Sequence, residues 1–138
     1  MSSHITRHHA PEGVLEAPGY SNVVGAEGRL VVVAGQVSRD AGGALVVRGD
    51  FTAQARQVFE NLRLCLAAEH ATFRDVVKLG YYLVDMADIT ALRSVRAEHI
   101  DDADRPSSTA VQVSALFDPD FLLEVEAWAV VPARGGAQ

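Results

Sequence analysis

Glu124, Glu126 and Trp128 recur at every second position near the C-terminus. In extended backbone that spacing puts all three on one face. Carboxylates held in this way are groups that take up or release protons. The other chemically capable residues stand apart from one another. Cys65 falls on the apolar side of a helical stretch with no histidine spaced to activate it, and reads as a structural thiol. His4, His8 and His9 cluster at the N-terminus without a second set of ligands, which reads as a mobile tail rather than a metal site. His70 and His99 fall at helix ends, where the negative pole of the helix favours a cation. No histidine is placed near Ser107 or Ser108 for nucleophilic catalysis. Ala41-Gly42-Gly43 precedes a strand-like segment instead of opening a helix, so it does not read as a phosphate cradle.

The elements that must position these residues follow from periodicity. Arg29–Gln36 (RLVVVAGQ) is a short β-branched run and predicts a buried strand. Asn22–Ala26 is expected to pair with it across a turn at Glu27-Gly28, and Leu45–Val47 to add a small extra strand. Asp50–Glu69 predicts a helix, with Asp50 as N-cap and Ala55, Val58, Phe59, Leu62 and Leu66 as its apolar stripe. Thr72 and Asp75 form a capping-box pattern for a single turn. Val77–Val84 alternates and predicts a strand, with Val77, Leu79, Tyr81 and Leu83 on one face. Asp88 is expected to cap a second helix reaching about His99, with Ile89, Leu92, Val95 and Arg96 inward. Thr109–Ala115 and Leu122–Val131 predict the closing strands. Residues 1–16 read as an irregular N-terminal segment, 17–132 as the folded domain and 133–138 as a frayed tail.

The order β-β-(β)-α-β-α-β-β predicts an α+β fold, a mixed sheet with two helices on one face. On the last strand Leu123, Val125, Ala127, Ala129 and Val131 would meet the helices. Glu124, Glu126, Trp128 and Val130 would face away, on a strand too apolar for plain solvent exposure. Gln112 and Ser114 give the neighbouring strand the same mixed character. The second face is therefore expected to be covered by another subunit.

Composition is consistent with this. The chain has 138 residues, 49% hydrophobic and 22% charged, which suits one domain and opposes general disorder. The longest apolar runs fall short of the ~18–20 residues that span a bilayer, and no signal peptide is visible, so a cytoplasmic protein without membrane contact is expected. The single Cys65 excludes an internal disulfide and a multi-cysteine zinc site. A net charge of -6 repels nucleic acid as a partner.

Several blocks carry a resemblance. They read APGYSNVV at 17–24, VVVAGQVSRD at 31–40, GDFTAQARQVFENLRLCLAA at 49–68, DVVKLGYYLVDMADITAL at 75–92, RPSSTAVQVSAL at 105–116 and LLEVEAWAVVP at 122–132. In this order and spacing the chain resembles the Rid family, also called YjgF or L-PSP, from about Ala17 to Val131. The resemblance implies a chorismate-mutase-like α+β fold and a homotrimer whose three sheets pack around a central barrel. It implies ligand clefts between adjacent subunits and a small-molecule ligand. The activity implied is hydrolysis of reactive enamines and imines to 2-keto acids and ammonia, with no metal or organic cofactor.

An imine hydrolase must hold the substrate carboxylate, place a water against the C=N carbon and move protons. The resemblance gives Glu124 the ordering of that water. Glu126, two residues on and on the same face, reads as structural, paired with a cation at the subunit interface. It puts Tyr20 at the cleft. Where the family has Ser-Gly-Gln, this chain has Ala34-Gly35-Gln36, and the Gly35 N–H remains a donor for a ligand oxygen. The archetype's Pro-Ala-Arg-Ser segment reads Pro106-Ser107-Ser108-Thr109 here, and Ser108 stands where the carboxylate-binding arginine should be. A serine hydroxyl cannot replace a forked cation. The archetypal cysteine of that segment aligns with Ala110. Two arginines stand as replacements: Arg105 in the same loop, and Arg93 on the second helix near a cleft-lining asparagine of the archetype. Each also reads as a solvated surface arginine, Arg105 in an ion pair with Asp102 or Asp104.

Three functions follow for weighing. The first is an enamine/imine deaminase with an altered substrate range. The second is a non-deaminating member that binds or acts on another small metabolite in the same intersubunit cleft. The third is an endoribonuclease, an activity attached to some family names, which the acidic chain and the absence of a basic stripe oppose.

Overall fold

The computed structural model of the chain describes residues 4–133, and the tail expected beyond them lies outside the described residues. Among the described residues the α-helices and strands are β1 (Ile5–His8), β2 (Val23–Ala26), β3 (Arg29–Gln36), α1 (Phe51–Ala67), β4 (Val76–Leu83), α2 (Ile89–Ala97), β5 (Ser107–Gln112) and β6 (Leu123–Val131). The main sheet has the order β3-β6-β4-β5. Only β4 and β5 run parallel, with α2 in the crossover between them, and β6 is antiparallel to both its neighbours. The result is the α+β architecture expected: a mixed sheet with two helices on one face. Among the described residues no helix is long and apolar enough to cross a membrane.

The side chain of Asp50 accepts the Ala53 N–H at 3.0 Å and starts α1. The buried stripe of α1, from Phe51 through Val58, Phe59 and Leu62 to Leu66, lies on the sheet. Leu123, Val125, Ala127, Ala129 and Val131 of β6 are all buried beneath it, while the residues between them are not. Small side chains at Ala127 and Ala129 leave room for the larger residues of the helix. The Thr72–Asp75 capping box forms with both of its hydrogen bonds and delivers the chain into β4.

Several expectations are corrected. β2 does not pair with β3. It pairs antiparallel with β1, from Ile5 opposite Ala26 to His8 opposite Val23, as a small separate sheet. Gly28 takes φ 142°, and a Cβ there would sit 2.0 Å from the Val131 carbonyl oxygen. The chain therefore passes tightly against β6 instead of closing a hairpin. The N-terminal histidines are consequently part of the fold: His4 Nε2 meets the Val130 carbonyl and His9 Nδ1 meets Arg105. Leu45–Val47 makes only a single bridge, Arg39 to Leu45, because Val47 adopts φ 55° and cannot continue a strand. A register shift between Val76 and Lys78 turns Val76, rather than Val77, toward the core. Asp88 makes no side-chain cap bond. Asp85 does, accepting from Ala87 N–H at 2.9 Å, so a short 3-10 turn precedes α2.

Burial also reverses the expectation at His99. Its ring stacks on Phe59 at 5.2 Å and also meets Phe73, and its buried Nε2 has no partner. Desolvation, the largest effect, lowers the imidazole pKa from its ordinary 6.5 despite nearby Glu98 and Glu60. The unfolded chain therefore takes up a proton more readily than the folded one. Stability from this group is complete above pH 6.5 and falls as pH drops below it, until the buried ring itself protonates. His99→Phe is expected to reduce the loss of stability below pH 6.5, read from urea midpoints at matched protein concentration. An unchanged slope would overturn this assignment.

Gln54 ties two loops to α1 from a fully buried position. It donates to the Val47 and Asp120 carbonyls at 3.1 and 3.0 Å and accepts from Leu122 N–H at 2.9 Å. Gln54→Leu is expected to lower stability by about 2–4 kcal/mol, since it leaves buried partners unsatisfied. Chemical denaturation checks this, and an unchanged midpoint would contradict it.

Candidate functional site

Strand alternation sorts the candidate residues into two groups. Glu124 projects from β6 on the face away from the helices. At the end of β3 the register with β6 shifts between Val33 and Gln36, and Gly35 falls in that irregularity. A Cβ at Gly35 would stand 1.9 Å from Glu124 Oε2, so the glycine is what lets the carboxylate lie against the backbone. Ala34 is exposed beside it, and the Gln36 amide donates to the Ala34 carbonyl at 3.0 Å. Gly35 and Gln36 also open on a cavity of about 450 Å³ that reaches Arg39, Gln57, Asn61 and Cys65. Glu124, Gly35 and Ala34 thus form one cluster, a carboxylate beside accessible backbone.

Glu126 repeats the arrangement one step along the strand. A Cβ at Gly80 would stand 2.8 Å from its Oε2, and the Tyr82 hydroxyl donates to the same oxygen at 3.2 Å. The charge of Glu126, and then burial, raise the Tyr82 pKa, so the phenol stays protonated as a donor. Lys78 shares this face and donates to Thr109 Oγ1 at 2.9 Å. Tyr82 and Lys78 escape the sequence reading because they become part of the polar face only once β4 is set between β6 and β5.

The second group gathers around the start of β5. The loop 17–21 is stitched there: Ser21 N–H donates to the Pro106 carbonyl at 2.9 Å, and its hydroxyl donates to the Arg105 carbonyl at 2.7 Å. This holds the half-buried Tyr20 beside the segment containing Ser108. Arg105 is 8% exposed, donates to the Ala17 carbonyl at 3.4 Å, meets His9 and lies 3.4 Å from Asp102 Oδ1. Its guanidinium is engaged in holding the N-terminal segment and this loop. Arg93 stands exposed on α2 with no hydrogen bond or ion pair to a described residue.

The sheet register keeps the two groups apart within one chain. Glu124 pairs with Tyr82, whereas Ser108 pairs with Leu79. Three residues along the strand is roughly 10 Å, and two strand spacings add roughly 10 Å across the sheet. Ser108 also shares the helix-side face with Leu79, while Glu124 is on the opposite face. Thr109, paired with Gly80, belongs to the outer face. Ser108 and Glu124 of one chain therefore cannot address one small ligand.

The outer face carries apolar surface as well. Leu30, Val32 and Trp128 are 55%, 57% and 43% exposed. Leu30 pairs with Val130 and Val32 with Trp128, so these side chains form one apolar patch bordering the Glu126 and Glu124 positions. A separate cavity of about 430 Å³, lined by Phe73, His99 and Ile100, lies at the C-terminal end of α1 and holds none of the candidate residues. Among the described residues no group of three His, Cys, Asp or Glu side chains is arranged to hold a metal ion.

Comparison with known proteins agrees with the fold. The family described as Endoribonuclease L-PSP matches residues 12–131. A RutC family protein of Pyrococcus horikoshii is 38% identical over 108 residues, 78% of this chain and 83% of that protein. The 3-aminoacrylate deaminase RutC of Acinetobacter baylyi is 34% identical over 96 residues, 70% of this chain and 75% of that protein. The crystal structure of a Rid-family protein of unknown function from Yersinia pestis superposes with a TM-score of 0.81 at 34% identity, covering 94% of this chain and 100% of that one. The two-faced sheet, the helices on one side of it and a family match over most of the sequence together establish that this chain belongs to the Rid (YjgF, L-PSP) family.

Proposed function

We propose that the protein is a cytoplasmic enamine/imine deaminase that works as a homotrimer, with each site shared between two subunits. The observation that carries this reading is the apposition of Glu124 and Gly35 on the outer face, apart from Tyr20 and Ser108. A carboxylate held against a glycine backbone is half of a hydrolytic site. The apolar patch around Trp128 supplies a surface by which a second copy can bring the other half. The similarity to a 3-aminoacrylate deaminase supports the reaction class.

In this mechanism the enamine first tautomerises to its imine. Glu124 orients a water, whose oxygen attacks the imine carbon as its proton passes to the carboxylate. The tetrahedral adduct takes that proton back on nitrogen and becomes the amino alcohol. Glu124 then carries the hydroxyl proton to nitrogen as the C–N bond breaks, so that ammonia leaves and the oxygen becomes the carbonyl of the keto product. The Gly35 N–H donates to a ligand oxygen, Tyr20 covers the ligand, and Ala34, Ser108 and Thr109 contribute small polar or apolar walls. The chemistry calls for no metal or organic cofactor.

The second reading is a Rid-like protein that binds or acts on another small metabolite without deamination. Ser108 favours it, because no guanidinium projects from the position where the archetype holds a carboxylate. The ribonuclease reading is opposed by the net charge of -6 and by two carboxylates at the centre of the outer face.

The test is acceleration of imine hydrolysis. Imino acids such as 2-iminopropanoate are made in situ by an amino-acid oxidase and followed by semicarbazone trapping and ammonia release. Wild type is expected to accelerate hydrolysis, and Glu124→Gln to lower kcat by roughly 10²- to 10⁴-fold. No acceleration with any of several imino acids would overturn the deaminase reading. Assembly is tested separately by sedimentation equilibrium: wild type is expected at three times the chain mass, and Trp128→Glu at one. A monomeric wild type would remove the shared site.

A further inference from the structure

The missing guanidinium at position 108 raises the question of what holds a carboxylate here. The arginines among the described residues are almost all engaged by a carboxylate, a carbonyl or an aromatic ring. Arg93 and Arg96 are the exceptions within that set, and they lie one turn apart on α2. Unpaired cations at that spacing repel each other, and an anion between them removes the repulsion.

Arg96 is the better placed of the two. It is half-buried on the edge of the inner stripe of α2, and its guanidinium lies over the α-carbon of Gly19. A Cβ at Gly19 would stand 2.5 Å from Nη2 and 3.0 Å from Cζ and Nη1. Gly19 also has φ 80°, so glycine meets two demands at once: the turn that presents Tyr20 and the space for the cation. Arg96 also acts electrostatically on Tyr81, whose side chain is 4% exposed and whose hydroxyl is buried without a hydrogen-bond partner. Tyr81 pairs with Ala110, and Leu79 with Ser108. The helix-side face of β5 thus carries two small residues where the archetype has an arginine and a cysteine. A free guanidinium therefore stands against the loop that presents Tyr20 and acts on an orphaned phenol whose strand partner is small.

We propose that Arg96 is the carboxylate-binding residue of this chain, with Arg93 one turn earlier as a supporting cation, and that the ligand is a small 2-keto or 2-imino acid. A guanidinium reaching in from α2 replaces one that would have come from β5. The identity of the imino acid rests on the deaminase reading. The anion site itself does not, and the two fail in different experiments.

The direct probe is pyruvate, the keto product of 2-iminopropanoate hydrolysis, titrated by calorimetry into the full chain. Pyruvamide serves as the uncharged control. Wild type is expected to bind pyruvate. Arg96→Ala is expected to weaken pyruvate roughly 10- to 100-fold, the usual loss for a hydrogen bond to a charged group, and to leave pyruvamide unaffected. Arg96→Lys is expected to recover part of the affinity, and adding Ser108→Arg to Arg96→Ala to recover more. Arg48→Ala, a surface change far from Tyr20 in sequence, is expected to behave as wild type. In turnover, Arg96→Ala is expected to raise KM for 2-iminopropanoate while kcat changes less. Unaltered pyruvate affinity in Arg96→Ala, or equal losses for pyruvate and pyruvamide, would overturn the assignment with the deaminase reading intact. Pyruvate binding lost in Arg96→Ala without imine hydrolysis by wild type would support the anion site and sink the deaminase. No pyruvate binding by wild type would overturn the anion site.

Discussion

The alternation along β6 is the constraint on which the rest of the structure depends. This strand is paired on both edges, with β3 on one side and β4 on the other. Its inner residues must meet α1, and the pairing then forces the inner residues of both neighbours onto the same side. Val31 and Val33 of β3, and Leu79, Tyr81 and Leu83 of β4, are buried for that reason. The same alternation leaves Glu124, Glu126 and Trp128 on the other face. Gly35 and Gly80 stand beside the two carboxylates because a β-carbon at either place would collide with them. The packing of the core and the exposure of the candidate carboxylate are therefore one arrangement seen from its two sides.

A sheet with two such faces divides the functional groups. The carboxylate and the Gly35 backbone occupy one end of the outer face, and the Tyr20 loop is stitched to the start of β5 at another level and on the other side. No rotamer change within one chain closes a separation of two strand spacings and a change of face. The apolar surface of Leu30, Val32 and Trp128 adjoins the carboxylates, so the same contact that would cover it would carry a neighbour's residues toward Glu124. Arg105 belongs to the scaffold of this arrangement. It holds Ala17 and His9, and so fixes the loop from which Tyr20 projects.

Much of the fold is legible along the chain because its signals are local. Asp50 and the Thr72–Asp75 box are capping signals that need only the next few residues, and both form as read. The stripe of α1 and the alternation of β6 are strong because each element buries one whole face. Other features failed for lack of such a signal. β1 contains one apolar residue in Ile5–His8, and its pairing depends on a partner some twenty residues away. The irregularity in β4 arises from pairing with β6, which periodicity within β4 cannot reveal. His99 stands at a helix end in sequence, but two phenylalanines surround it in space and invert the expected effect on its charge.

The sequence by itself determined the two helices and the strands of the main sheet, the two-sidedness of the last strand, the acidic balance and the absence of an arginine at position 108. These depend on residue type and on spacing over a few positions. Only the tertiary structure decided which arginines are free. Arg105 is next to acidic residues in sequence and becomes a buried pin through contacts with Ala17 and His9, far away in the chain. Arg96 reads as one member of a helix face, and its surroundings of Gly19 and Tyr81 come from two other elements. An unpaired charge is a property of everything that surrounds it, and the surroundings are set by long-range packing that no local pattern encodes.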